Sequence, residues 1–207
     1  MRDVVIWCAD IGSIKKKNFG WCRGIIGDKD EFLMGSSIQD FADGIAKDIS
    51  NGYKVALGFE CPLFVPISEN PLNLTSARKG EGDRPWSASA GGTVIATGLA
   101  ETAWILGRIN ELAEVDIKVT FDWNEFINKS LNLFIWEAFV SKESKAQTHS
   151  GDAEVAVKTF IKEYPDVVQA NAVTAENPYN LVAAALLRTG ISDDLSLLSE
   201  CCIVIKA

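Results

Sequence analysis

A chain of 207 residues that is 47% hydrophobic can bury a substantial core, and without a linker-like shift in composition it is expected to form one domain over residues 1–207. Its formal net charge of −8 excludes a surface coated in basic residues for gripping nucleic acid, yet leaves room for a local basic groove. No apolar run reaches the roughly 18 residues needed to span a membrane, and the N-terminal MRDVVIWCAD becomes charged too early for a signal peptide, so a soluble cytoplasmic protein is expected.

Residues 4–9 form an almost continuous apolar run that stops at Asp10-Ile11-Gly12-Ser13. A run rich in Val, Ile and Trp fits a strand buried on both faces, and the Gly and Ser mark its turn. After Lys15, Lys16 and Lys17, residues 19–26 read as a second strand and 31–34 as a third, joined by a hairpin at Gly27-Asp28-Lys29-Asp30. Three strands in succession predict an antiparallel meander. From Ser37 the period changes: Ile38, Phe41, Ile45 and Ile49 recur at helical spacing until Asn51-Gly52. Residues 53–59 are a further apolar run ending at Glu60-Cys61-Pro62, and a helix leading into a buried strand implies a crossover that returns it parallel to the first.

Residues 61–88 hold most of the prolines together with Arg78, Lys79, Glu81, Asp83 and Arg84. A loop of this length just after Glu60 is read as a lid or substrate-contacting segment. Residues 91–113 predict a long helix with Trp104, Ile105 and Ile109 on its apolar side, and Asp122 begins a shorter one. Residues 131–140 predict the next strand, with Glu137 placed inside apolar sequence and therefore either beside a cation or turned into a cleft. Residues 152–164 and 178–187 have helical spacing, the latter with Pro178 in its first turn, and residues 202–205 suit a small closing strand.

Four acids stand where a twisted sheet could gather them: Asp10 and Glu60 end apolar runs, Glu137 lies within one, and Asp152 opens a helix-like stretch. Clustered carboxylates are how proteins hold magnesium or manganese, which points to phosphoryl chemistry. His149, the one histidine, is a candidate proton carrier. Lys15, Lys17, Arg78, Lys79 and Arg84 are candidate contacts to a polyanion, and Trp86 is the tryptophan whose polar surroundings suit base stacking. The five cysteines show no metal-ligand spacing and read as reduced, mostly core thiols.

The order of elements, with acids ending the first and fourth strands, resembles the ribonuclease H-like superfamily. Within it, the chain is most similar to the predicted ribonuclease H-like nucleases of unknown function. The similarity is carried by Ala9-Asp10-Ile11-Gly12 with Phe19-Gly20-Trp21, by Gly58-Phe59-Glu60-Cys61-Pro62-Leu63, by Trp136-Glu137-Ala138-Phe139, and by residues 180–186. It implies an α/β domain with a five-stranded mixed sheet, three antiparallel strands followed by parallel ones, flanked by helices. It also implies a nuclease that hydrolyses nucleic acid with two Mg2+ or Mn2+ ions, Asp10 and Glu60 matching the first two metal ligands and Glu137 a strand-five glutamate. The family's late-helix aspartate corresponds to Asn180, which lacks the charge, while His149-Ser150-Gly151-Asp152-Ala153 resembles the helix start of Holliday-junction resolvases. Two alternatives stay open: a catalytically inactive binding or scaffold module, and a phosphotransferase, since Asp10-Ile11-Gly12-Ser13 followed by lysines is similar to the first phosphate loop of sugar kinases and actin-like proteins. A homodimer is compatible with the sequence.

Overall fold

The computed structural model describes residues 4–28, 31–82, 85–88, 90–141 and 143–207. Among the described residues, nine strands and five α-helices follow one another as β1 (Val4–Asp10), β2 (Gly20–Ile25), β3 (Leu33–Gly35), α1 (Ile38–Ser50), β4 (Lys54–Glu60), β5 (Phe64–Pro66), α2 (Ala90–Leu112), β6 (Val119–Thr120), α3 (Trp123–Asn128), β7 (Leu133–Phe139), α4 (His149–Glu163), β8 (Pro178–Asn180), α5 (Leu181–Thr189) and β9 (Ile203–Lys206). The architecture is α/β: a mixed sheet in which β3, β2 and β1 are antiparallel, and β4 and β7 continue parallel to β1.

That sheet has seven strands where the sequence predicts five. The free edge of β7 is shared lengthwise: β6 pairs with Leu133 and Phe134, and β9 runs from Trp136 to Phe139. A two-residue strand leaves no periodic signature, so β6 is invisible to pattern. β5 and β8 make a separate antiparallel pair.

Alternation along β1 explains its unbroken apolar run. Val5, Trp7 and Ala9 face a core with Phe41 and Ile45 of α1, Ile105 and Ile109 of α2 and Leu186 of α5. Val4, Ile6 and Cys8 face the opposite core with Phe126 of α3 and Val157 and Phe160 of α4. With helices on both sides, neither face of the strand meets water.

Several boundaries differ from expectation. α4 begins at His149 rather than at Asp152, because Thr148 caps it by accepting from the Gly151 N–H. The last long helix begins at Leu181: Asn180 is its cap, accepting from the Ala183 N–H, while Pro178 belongs to β8. Trp104, expected on the apolar side of α2, is 43% exposed. Lys29, Asp30 and Arg84 lie outside the described residues. No helix among the described residues is long and apolar enough to cross a membrane.

Candidate metal centre

The parallel register of β1 and β4 sets Asp10 directly beside Glu60. Residues in register share a face, so both side chains belong with Cys8 and Ala56 on the α4 side. Asp152 arrives from the first turn of α4, and one carboxylate oxygen from each of the three acids lies within 4.8 Å of the others.

The approach of α4 depends on Gly20, the partner of Asp10 in β2. A Cβ there would lie 2.2 Å from the Ser150 nitrogen, so no other residue lets the helix start come this close. His149 is thereby seated with Nδ1 2.5 Å from Asp10 Oδ2, an imidazole N–H donating to the carboxylate. Asp152 Oδ1 accepts from the Ala146 N–H, and its Oδ2 lies 3.6 Å from Lys145 Nζ, which also stands 3.7 Å from Glu60 Oε1.

Acid outweighs base here, and the titration of the groups reflects it. Burial, then the charge of Asp10, pushes Glu60 up to about 8. Burial likewise raises Asp10, against the opposing pull of His149 and Lys145. For Lys145, burial works against the charge, but Glu60, Asp152 and Asp10 prevail and hold its pKa above the ordinary lysine value. Glu60 Oε2 is buried with no hydrogen-bond partner. Three hard oxygen donors with one bare lone-pair site fit a divalent cation such as Mg2+ or Mn2+.

No family model, curated protein or solved structure matches the chain.

Glu137, expected as a fourth ligand, is elsewhere. It is in register with Phe59, not Glu60, so it points to the other face of the sheet. There Arg78 donates to both its oxygens at 2.7 Å, and the Leu63 N–H donates at 2.9 Å. Arg78, expected to contact substrate, is only 4% exposed and also binds Glu81. Burial opposes its charge, and the two glutamates more than restore it, holding the pKa above the ordinary arginine value. Asn180 is turned inward too, its amide donating to the Glu200 carbonyl while its oxygen caps α5. Asn180 therefore brings nothing to the acid cluster, whose third carboxylate is that of Asp152.

The remaining predicted contacts vary. Lys15 and Lys17 are exposed on the single 3-10 turn that follows Asp10. Lys79 is exposed beside a cleft of about 770 Å³ lined by residues 66–70, 73, 76–79 and 174–177, while its backbone pairs with Thr174. Trp86 is partly buried, and its indole N–H donates to the Ser76 carbonyl. Within the described part of this segment, β5, Arg78 and Lys79 are tied to the body.

Two residues escape the sequence reading. Lys145 acts from the connection before α4, where no periodicity exists to mark it. Glu101, on α2, is 8% exposed, with its pKa raised to about 7 chiefly by burial. Its signal was present: it stands four and eight residues before Ile105 and Ile109, on the buried face of the helix.

Proposed function

We propose that the chain is a metal-dependent phosphodiesterase of ribonuclease H-like type that hydrolyses nucleic acid. The observation that carries this is the Asp10, Glu60 and Asp152 cluster, in which Glu60 Oε2 is buried without a donor. A carboxylate in that state is unfavourable unless a cation or a proton meets it. The strand order β3-β2-β1-β4-β7, with acids ending two adjacent parallel strands and a third on the following α4, supports the superfamily resemblance drawn from the motifs.

Asp10, Glu60 and Asp152 would hold Mg2+ or Mn2+, which when bound activates a water and neutralises charge on the transferring phosphate. His149 fixes the Asp10 carboxylate through Nδ1, and its ring, 42% exposed, is open to carry a proton to or from the reacting oxygens. Lys145 balances part of the acid charge and is half exposed, free to turn toward a phosphate. Lys15, Lys16 and Lys17 follow Asp10 on the same end of the sheet and give an otherwise acidic chain a local basic rim for a polyanion.

The test is cleavage of a panel of single-stranded, duplex, hybrid and branched DNA and RNA with magnesium or manganese. Asp10→Asn is expected to lose about a thousandfold or more in rate, as when electrostatic stabilisation at a reacting centre is removed. Wild-type rates in Asp10→Asn on every substrate cleaved would overturn the proposal.

A further inference from the structure

The outer side of α2 is apolar where a surface helix ordinarily carries charge. Across residues 90–107 the one charged residue is Glu101, and it lies on the buried side with Ile105 and Ile109. Thr93, Ala96, Leu99, Ala100 and Trp104 face outward, Leu99 being 46% and Trp104 43% exposed. α2 packs between α1 and α5 against the sheet core. A helix that is apolar on all sides belongs between two layers, and α2 has a layer on one side only.

Charge and shape both favour a second copy of the chain as the missing layer. Each copy carries a formal net charge of −8, so two copies repel wherever their charged surfaces meet. An uncharged face is where that repulsion is least, and it offers no charge to select a basic partner. At about 3.6 residues per turn, Ala96, Ala100 and Ala103 form a low floor, with Leu99 and Trp104 rising on its two flanks. A two-fold axis at Ala100 lays two such helices antiparallel and sets Trp104 of each copy over Ala96 of the other, since both stand one turn from the axis. The same bulky-on-small contact is then made twice, as an isologous interface requires.

We propose that the chain forms a two-fold homodimer through the outer face of α2, with Trp104 as its anchor. The uncharged stretch is about 27 Å long. Two copies laid along it bury on the order of 1,000 Å² in all, the low end for a specific interface, which fits a dimer that forms in the micromolar range. α2 and α4 belong to the cores on opposite faces of the sheet, so the pairing leaves the α4 layer, with His149 and Asp152, open in both copies. The dimer therefore stands or falls independently of the metal centre.

Sedimentation equilibrium of the full chain from about 1 to about 200 µM tests this. Wild type is expected to dimerise with a Kd on the order of tens of micromolar, and more tightly at about 0.5 M than at about 0.05 M NaCl, because salt screens the repulsion between copies. Ala100→Glu sets like charges face to face at the axis and should stay monomeric throughout, while Trp104→Ala should weaken the dimer about tenfold or more. Both side chains are exposed, so each variant should melt close to the wild-type temperature, and should one fail to fold, the other decides. Met34→Lys, on the exposed edge strand β3, is the control and should dimerise as wild type does. A wild-type protein still monomeric at about 200 µM overturns the proposal, since the face is then covered by something other than a second copy. A dimer unchanged in both α2 variants, lost in Met34→Lys, or weakened by salt overturns it equally.

Discussion

Two groups of buried charge occupy the same end of the parallel strands, one to each face of the sheet, and they are built in opposite ways. Around Glu137 the charges close on themselves: Arg78 is shared between Glu137 and Glu81, all three side chains are 2–3% exposed, the Leu63 N–H adds a second donor to Glu137 Oε2, and the Arg78 N–H donates to the other Glu81 oxygen. Around Glu60 they do not close. Three acids face one half-exposed lysine and one histidine, and an oxygen is left over. A buried charge whose partners are complete holds a structure together, whereas a surplus of buried carboxylate is stable only with something added. The first group accordingly reads as an anchor for the segment after β4, and the second as a site.

The contrast is broken most severely through Arg78. Arg78→Met leaves Glu137 and Glu81 buried without a cation and is expected to lower stability by about 3–5 kcal/mol in urea unfolding. Adding Glu137→Gln and Glu81→Gln should restore part of that loss; an Arg78→Met protein as stable as wild type would mean that the network is not an anchor.

His149→Ala leaves the anchor untouched and should reduce metal-dependent cleavage on the order of a hundredfold with no fall in melting temperature. Partial rescue by added imidazole separates proton transfer from a merely structural role.

Glu60→Gln sharpens the comparison in the other direction, because removing a surplus charge should stabilise. The folded-state pKa of Glu60 is raised from 4.5 to about 8, so the native state holds this proton more tightly than the unfolded chain. Stability therefore falls as pH rises from about 4.5 to about 8 in the metal-free protein. At pH 9 Glu60→Gln is expected to gain on the order of 2 kcal/mol, roughly 4–8 °C in Tm, and at pH 4 the two proteins should melt together.

The smallest effect belongs to Lys145, whose side chain is 48% exposed. Its ammonium competes with a divalent cation for Glu60 and Asp152, so Lys145→Ala should bind manganese more tightly, by less than about fivefold.

The sequence makes the site partly legible, and the divide has a physical basis. Asp10 and Glu60 stand out because strands buried on both faces produce unbroken apolar runs, and an acid at the end of such a run is conspicuous. Their adjacency follows from a helical crossover, which implies a parallel pair. Glu137 looks equivalent in the sequence, but one residue of register sends it to the opposite face, and register across a parallel pair is set by packing that no local pattern reports. Asp152 and His149 are visible through the helix start, although Thr148 rather than the acid marks the cap. Pro178 suggests a helix start where the chain makes a strand, since Asn180 is the better cap. Lys145 is illegible because it reaches the acids from irregular backbone, and Arg78 misleads because its guanidinium, among loop residues in sequence, is drawn into the core by two glutamates.

The most direct test of the account is the position of manganese in a soaked crystal of the wild-type protein. An anomalous peak at coordination distance from Asp10, Glu60 and Asp152, with the Lys145 ammonium moved away from Glu60 and Asp152, is the predicted result. A map without a peak there at saturating manganese, with Lys145 still bridging the two acids, would contradict it.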